Sequence, residues 1–150
     1  MISIKSKADI AAMQRAGEIV RDLLLLMEEK VKPGVTTREL DRIAYEFIIA
    51  RKAAPSFLHY NGYPATICAS VNEMVVHGIP GKYRLCEGDI ISIDVGAVID
   101  GFHADAARTF GVGTVSAEKQ RLMDVTKQCF FDALAVCREG NRLSDIARAV

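Results

Sequence analysis

The stretch Asp89-Ile-Ile-Ser-Ile-Asp94-Val-Gly-Ala-Val-Ile99-Asp100-Gly101-Phe102-His-Ala-Asp105-Ala-Ala-Arg-Thr-Phe110 decides the fold. Its first half is rich in β-branched residues, as a strand requires. Asp100-Gly101 is the strongest short signal for a two-residue hairpin turn. With those two residues as the turn, Ile99 pairs with Phe102, Val98 with His103 and Gly96 with Asp105. Side chains alternate between faces with period two, so Asp94 and Gly96 share a face. Asp105 is then the diagonal neighbour of Asp94, at a Cα separation of roughly 7–8 Å. Ser92, Gly96, His103, Ala107 and Thr109 lie on that face, with Ile90 and Val98 at its ends. Ile91, Ile93, Val95, Ala97, Ile99, Phe102 and Phe110 lie on the other, with Arg108 as the polar exception. One face is built for packing and the other for polar chemistry.

Two carboxylates converging on one point repel each other and are costly to bury unpaired. A divalent cation between them removes both penalties. A solvated polar face is the competing reading of the same pattern. Two carboxylates are also too few to hold a pair of divalent ions, which take several further oxygen and nitrogen ligands.

Outside the hairpin, the composition narrows the function. The chain has 150 residues, enough for one core, and is read as a single domain over 1–150. The formal net charge is zero, from 19 basic and 19 acidic residues, so no basic stripe points to nucleic acid and no charged tail to a membrane surface. The opening Met1-Ile-Ser-Ile-Lys-Ser lacks the pattern of a signal peptide. Leu23-Leu24-Leu25-Leu26-Met27 is too short an apolar run to span a bilayer. Cys68, Cys86, Cys129 and Cys137 show no C-x-x-C spacing and read as free thiols in a reducing, cytoplasmic setting.

Helical spacing of Ile10, Met13, Val20, Leu23, Leu24 and Met27 predicts a helix over 7–30, with Ser6 as its N-cap. Pro33-Gly34 ends it. Thr36 and Glu39 form a capping-box pattern that opens a second helix over about 37–52. Residues 53–64 are irregular, with turn formers at Asn61-Gly62. Short strands are expected at 66–71 and 73–77. Ser116 opens a long helix that runs to about Glu139 and stops at Gly140. A weak repeat joins the two helical ends: counted from Gly34 and Gly140, Glu39 aligns with Asp145 and Leu40 with Ile146. The second copy runs to Val150 without a C-cap, a pattern expected of a fold that continues further.

From Phe57 to Gly111 the chain closely resembles type I methionine aminopeptidases. The resemblance rests on Tyr60-Asn-Gly-Tyr-Pro64, on Ser70-Val-Asn-Glu-Met-Val-Val-His77-Gly-Ile-Pro80, on Gly88-Asp-Ile90 and Ile93-Asp-Val95, and on Asp100-Gly-Phe-His-Ala-Asp105. The Lys32-Pro-Gly-Val-Thr-Thr37 turn matches as well. Prolidases and creatinases share that fold without this run of residues. The resemblance implies an α+β pita-bread fold, here its N-terminal half and the start of its second half. It implies a metal-dependent exopeptidase that removes the N-terminal methionine of nascent chains in the cytoplasm, with ribosome association part of the same expectation. Asp94 is expected to hold one of two divalent ions (Co, Mn, Fe or Zn) and Asp105 to bridge both. His77 is expected to contact the substrate near the scissile peptide. Tyr60, Tyr63 and Cys68 are expected to line the pocket for the methionine side chain. His103 shares the metal-facing side of the hairpin, but that family does not use the position as a ligand.

That family's site also takes a histidine and two glutamates further along. The histidines here are His59, His77 and His103, all before the third long helix, and no acidic residue after 111 has a strand-like context. The remaining ligands are therefore not expected within these residues. The chain alone is expected to be an incomplete catalytic domain with weak or no activity. The alternatives are a non-catalytic peptide-binding module of the same fold and a prolidase-like hydrolase.

Overall fold

The computed structural model describes residues 3–150. The chain forms two compact units that divide between Thr114 and Val115.

In the first unit, α1 (Lys7–Lys30) and α2 (Thr37–Ala50) each open on a reciprocal cap. The Ser6 hydroxyl accepts from the Asp9 N–H while the Asp9 carboxylate accepts from the Ser6 N–H. Thr36 and Glu39 repeat the arrangement. Such pairs satisfy two backbone donors that the helix itself leaves free. Ala12, Ala16, Ile19, Val20, Leu23, Leu24 and Met27 make the buried stripe of α1, at the three- and four-residue steps of a helix face.

Four antiparallel strands make one sheet: β1 (Ala54–Pro55), β2 (Ile67–Val71), β3 (Ile90–Ile99) and β4 (Phe102–Gly111). β3 is central, with β4 along one side and both β2 and β1 along the other. The observed register is the predicted one: Ile99 opposite Phe102, Val98 opposite His103, Gly96 opposite Asp105. Asp100 (φ 51°) and Gly101 (φ 78°) both adopt the positive φ that the tight turn demands. Ile91, Ile93, Val95, Ala97 and Phe110 join Leu23, Met27, Leu40, Ala44 and Ile48 in one core cluster. That burial leaves the opposite face of the hairpin for chemistry.

The expected strand at 73–77 does not form. Asn72 turns out of the strand at φ 51°, and its side-chain oxygen accepts the Ile90 N–H while its own N–H donates to the Ile90 carbonyl. Those bonds close the β2–β3 ladder, so Val75 and Val76 have no strand to pair with. Val75 is 86% exposed. Strand propensity is a weak preference, and the asparagine's backbone geometry overrides it here.

The second unit holds α3 (Ala117–Val136), capped by Ser116, and α4 (Leu143–Ala149). The Asp145 carboxylate accepts the Arg142 N–H at 2.8 Å, as Glu39 accepts the Thr36 N–H at 2.7 Å. The aligned acidic residues of the repeat thus do the same capping job. No helix among the described residues is long and apolar enough to cross a membrane.

Candidate metal centre

Asp94 stands opposite Cys68 of β2 and Ala107 of β4, one pair away from the Gly96–Asp105 pair. Residues directly opposite across a ladder share a face, so Cys68, Asp94 and Asp105 all project to the same side of the sheet. One Asp94 carboxylate oxygen, Oδ1, is buried and accepts no hydrogen bond among the described residues. The Asp94 carboxyl is pushed up to about 6. Burial is the main cause; the Asp105 carboxylate beside it adds charge repulsion and a shared hydrogen bond, partly offset by His77 and the Val95 N–H. The shift of Asp94 is the expected result of burying one carboxylate beside a second, exposed one.

An unpartnered buried carboxylate oxygen next to a second carboxylate is chemically suited to a hard divalent cation, which takes oxygen ligands. No group of three or more His, Cys, Asp and Glu side chains that could hold a metal ion is found among the described residues. Asp94 and Asp105 therefore offer part of a donor set.

The other residues singled out from the sequence fall around this pair. Cys68 is 5% exposed, and burial pushes its thiol up. The Tyr63 hydroxyl lies 3.0 Å from the Ile67 carbonyl and 3.1 Å from the Gly78 carbonyl, and burial raises its pKa. His77, at φ 56°, is exposed and acts electrostatically on Asp94. Tyr60 opens a short 3₁₀ turn, Tyr60–Gly62, and is 69% exposed. The structure thus brings Cys68, Asp94 and Asp105 onto one face, with Tyr63 and His77 at its border, and leaves Tyr60 outward.

The roles of Ser56, Phe57 and Asp89, and the need for glycine at 96, were not read from the sequence. Gly96, in the middle of a β-branched strand, is met from above by Ser56 and Phe57. A Cβ at 96 would lie 2.7 Å from Phe57 Cε1 and 2.8 Å from the Ser56 Cβ. The Ser56 N–H donates to the Gly96 carbonyl at 2.9 Å, and the Ser56 hydroxyl lies 2.9 Å from His103 Nδ1. His103 is thereby engaged through Nδ1 by a side chain of the crossing segment. A glycine within a strand is the available signal for such close backbone approach. Asp89, 7% exposed, accepts from the Asn72 amide, the Tyr83 hydroxyl and the Cys86 N–H. It ties both ends of the segment that carries His77 to the start of β3.

The model of metallopeptidase family M24 matches residues 11–150. A methionine aminopeptidase of Clostridium perfringens is 49% identical over 150 residues, covering all of this chain and 60% of that protein. The crystal structure of methionine aminopeptidase from Rickettsia prowazekii superposes with a TM-score of 0.97 at 38% identity, covering 99% of this chain and 60% of that one. The prolidase from Pyrococcus furiosus, at 19% identity and a TM-score of 0.82, shares the fold alone. The chain spans about 60% of the length of the curated relatives it matches. The architecture is that of part of the pita-bread fold. On a match running through both helical units and the whole sheet, the chain belongs to metallopeptidase family M24.

Proposed function

We propose that this chain carries the N-terminal, metal-holding part of a methionine aminopeptidase, which removes the initiator methionine from newly made proteins in the cytoplasm. Residues 1–150 are read as part of one catalytic domain whose remaining ligands lie elsewhere. The observation that carries the reading is the buried, unpartnered Asp94 oxygen beside Asp105. It is supported by family membership and by relatives named methionine aminopeptidase.

In this reading Asp94 and Asp105 hold two divalent ions, drawn from Co, Mn, Fe or Zn. Bound there, such ions polarise the scissile carbonyl and lower the pKa of the attacking water. His77 donates a hydrogen bond to the substrate at the reacting peptide, stabilising charge that develops on it. Tyr63 and Cys68 form the inner wall of an apolar pocket for the methionine side chain, and Tyr60 its outer edge. A thioether against aromatic rings is a favourable contact. Nascent chains, including those still on the ribosome, present the required free N-terminus.

The test is release of methionine from Met-Ala-Ser by the full-length protein under controlled metal concentration, with Ala-Pro as the prolidase substrate. Asp94→Asn and Asp105→Asn should each abolish metal-dependent release. Normal turnover by either variant would remove the ligand assignment, and preference for Ala-Pro would remove the substrate assignment.

A further inference from the structure

The segment from Asn72 to Gly78 leaves β2 and returns to it, and hydrogen bonds tie both ends. The Gly78 N–H donates to the Ser70 hydroxyl at 3.1 Å, with Ser70 only 4% exposed. The Gly78 carbonyl accepts from the Ala69 N–H at 2.8 Å and from the Tyr63 hydroxyl at 3.1 Å. A Cβ at 78 would collide with the Ala69 carbonyl oxygen and the Met74 sulfur, so the returning backbone lies close against β2. Immediately before this clamp stands His77 at φ 56°. That conformation is unfavourable for a residue with a Cβ. The hydrogen bonds at Gly78 fix the chain directly beside that strained residue.

We propose that the Tyr63 hydroxyl is a positioning group for His77, setting through the Gly78 peptide the direction in which the imidazole meets the substrate. The proposal rests on the reading of His77 as the substrate-contacting histidine. It separates two roles of one side chain. The Tyr63 ring is a wall of the apolar pocket, while its oxygen spans β2 and the returning segment by reaching the Ile67 and Gly78 carbonyls together. Phenylalanine preserves the first role and abolishes the second.

The experiment compares Tyr63→Phe, Ser70→Ala, His77→Ala and the Tyr63→Phe/His77→Ala double variant of the full-length, Mn²⁺-loaded protein on Met-Ala-Ser. Amide exchange at Gly78 and thermal melting are measured in parallel. Tyr63→Phe should lower kcat about tenfold, since misplacing a reacting group is costly, with KM changed less than about threefold because the pocket wall remains. Ser70→Ala should act in the same direction. In the His77→Ala background Tyr63→Phe should add nothing further to the loss of kcat, and Gly78 should exchange faster in Tyr63→Phe than any fall in melting temperature accounts for. Wild-type kcat in Tyr63→Phe, or effects that add to those of His77→Ala, would overturn the proposal and leave the reading of His77 intact. Wild-type kcat in His77→Ala would overturn both.

Discussion

Asp94 illustrates how much a single buried oxygen determines. Its carboxyl lies near 6 instead of in the ordinary range because burial and the neighbouring Asp105 both disfavour the charged form. In the metal-free chain the folded state therefore binds its proton more tightly than the unfolded state does. The stability this contributes is fully present below the ordinary aspartate value and is lost as pH rises through about 6. Metal-free protein should melt at a lower temperature at pH 7.5 than at pH 5 as far as this group is concerned. The difference should be on the order of 1 kcal/mol, after discounting for partial solvation. Asp94→Asn should flatten that dependence, as followed by circular dichroism melts across the pH range. A variant that keeps the wild-type slope would show that another group is responsible.

The elements each have a short-range cause. Asp100-Gly101 supplies two positive φ angles, period-two alternation sorts the faces, and the hairpin register follows from both. The Ser6 N-cap and the Thr36–Glu39 capping box were equally legible, because each is written within four residues, whereas the reciprocal bond from Ser6 to Asp9 came from the structure. The segment after Asn72 was not legible. Its apolar run Met74-Val75-Val76 has strand propensity, yet the bonds that end the ladder come from Ile90, 18 residues away. Gly96 belongs to the same category. It is required because Ser56 and Phe57 cross directly above it, a contact that alternation within β3 says nothing about. Gly96→Val should displace Ser56 and Phe57 and break the Ser56–His103 contact, at a cost of about 1–3 kcal/mol for overpacking. Urea denaturation provides the measurement, and a variant as stable as wild type would mean that the crossing segment moves aside freely.

At the scale of the whole molecule, the chain presents two of the donors a metal centre takes, and among the described residues no cluster of three. Divalent metal should consequently bind these 150 residues weakly, with a Kd of about 0.1 mM or higher, as sites of few ligands do. Isothermal titration with Mn²⁺ or Co²⁺ measures this, and tight stoichiometric binding would show that Asp94 and Asp105 suffice. The sequence by itself determined the helices and their caps, the hairpin and its register, and therefore the shared face of Asp94 and Asp105. All of these follow from turn chemistry and periodicity between residues close along the chain. The tertiary structure alone decided that Asp94 loses water from one oxygen, that Ser56 and Phe57 roof Gly96, and that one tyrosine hydroxyl joins β2 to the segment bearing His77. Burial and such crossings depend on which distant segments fold over a residue, and no local pattern in the chain encodes that.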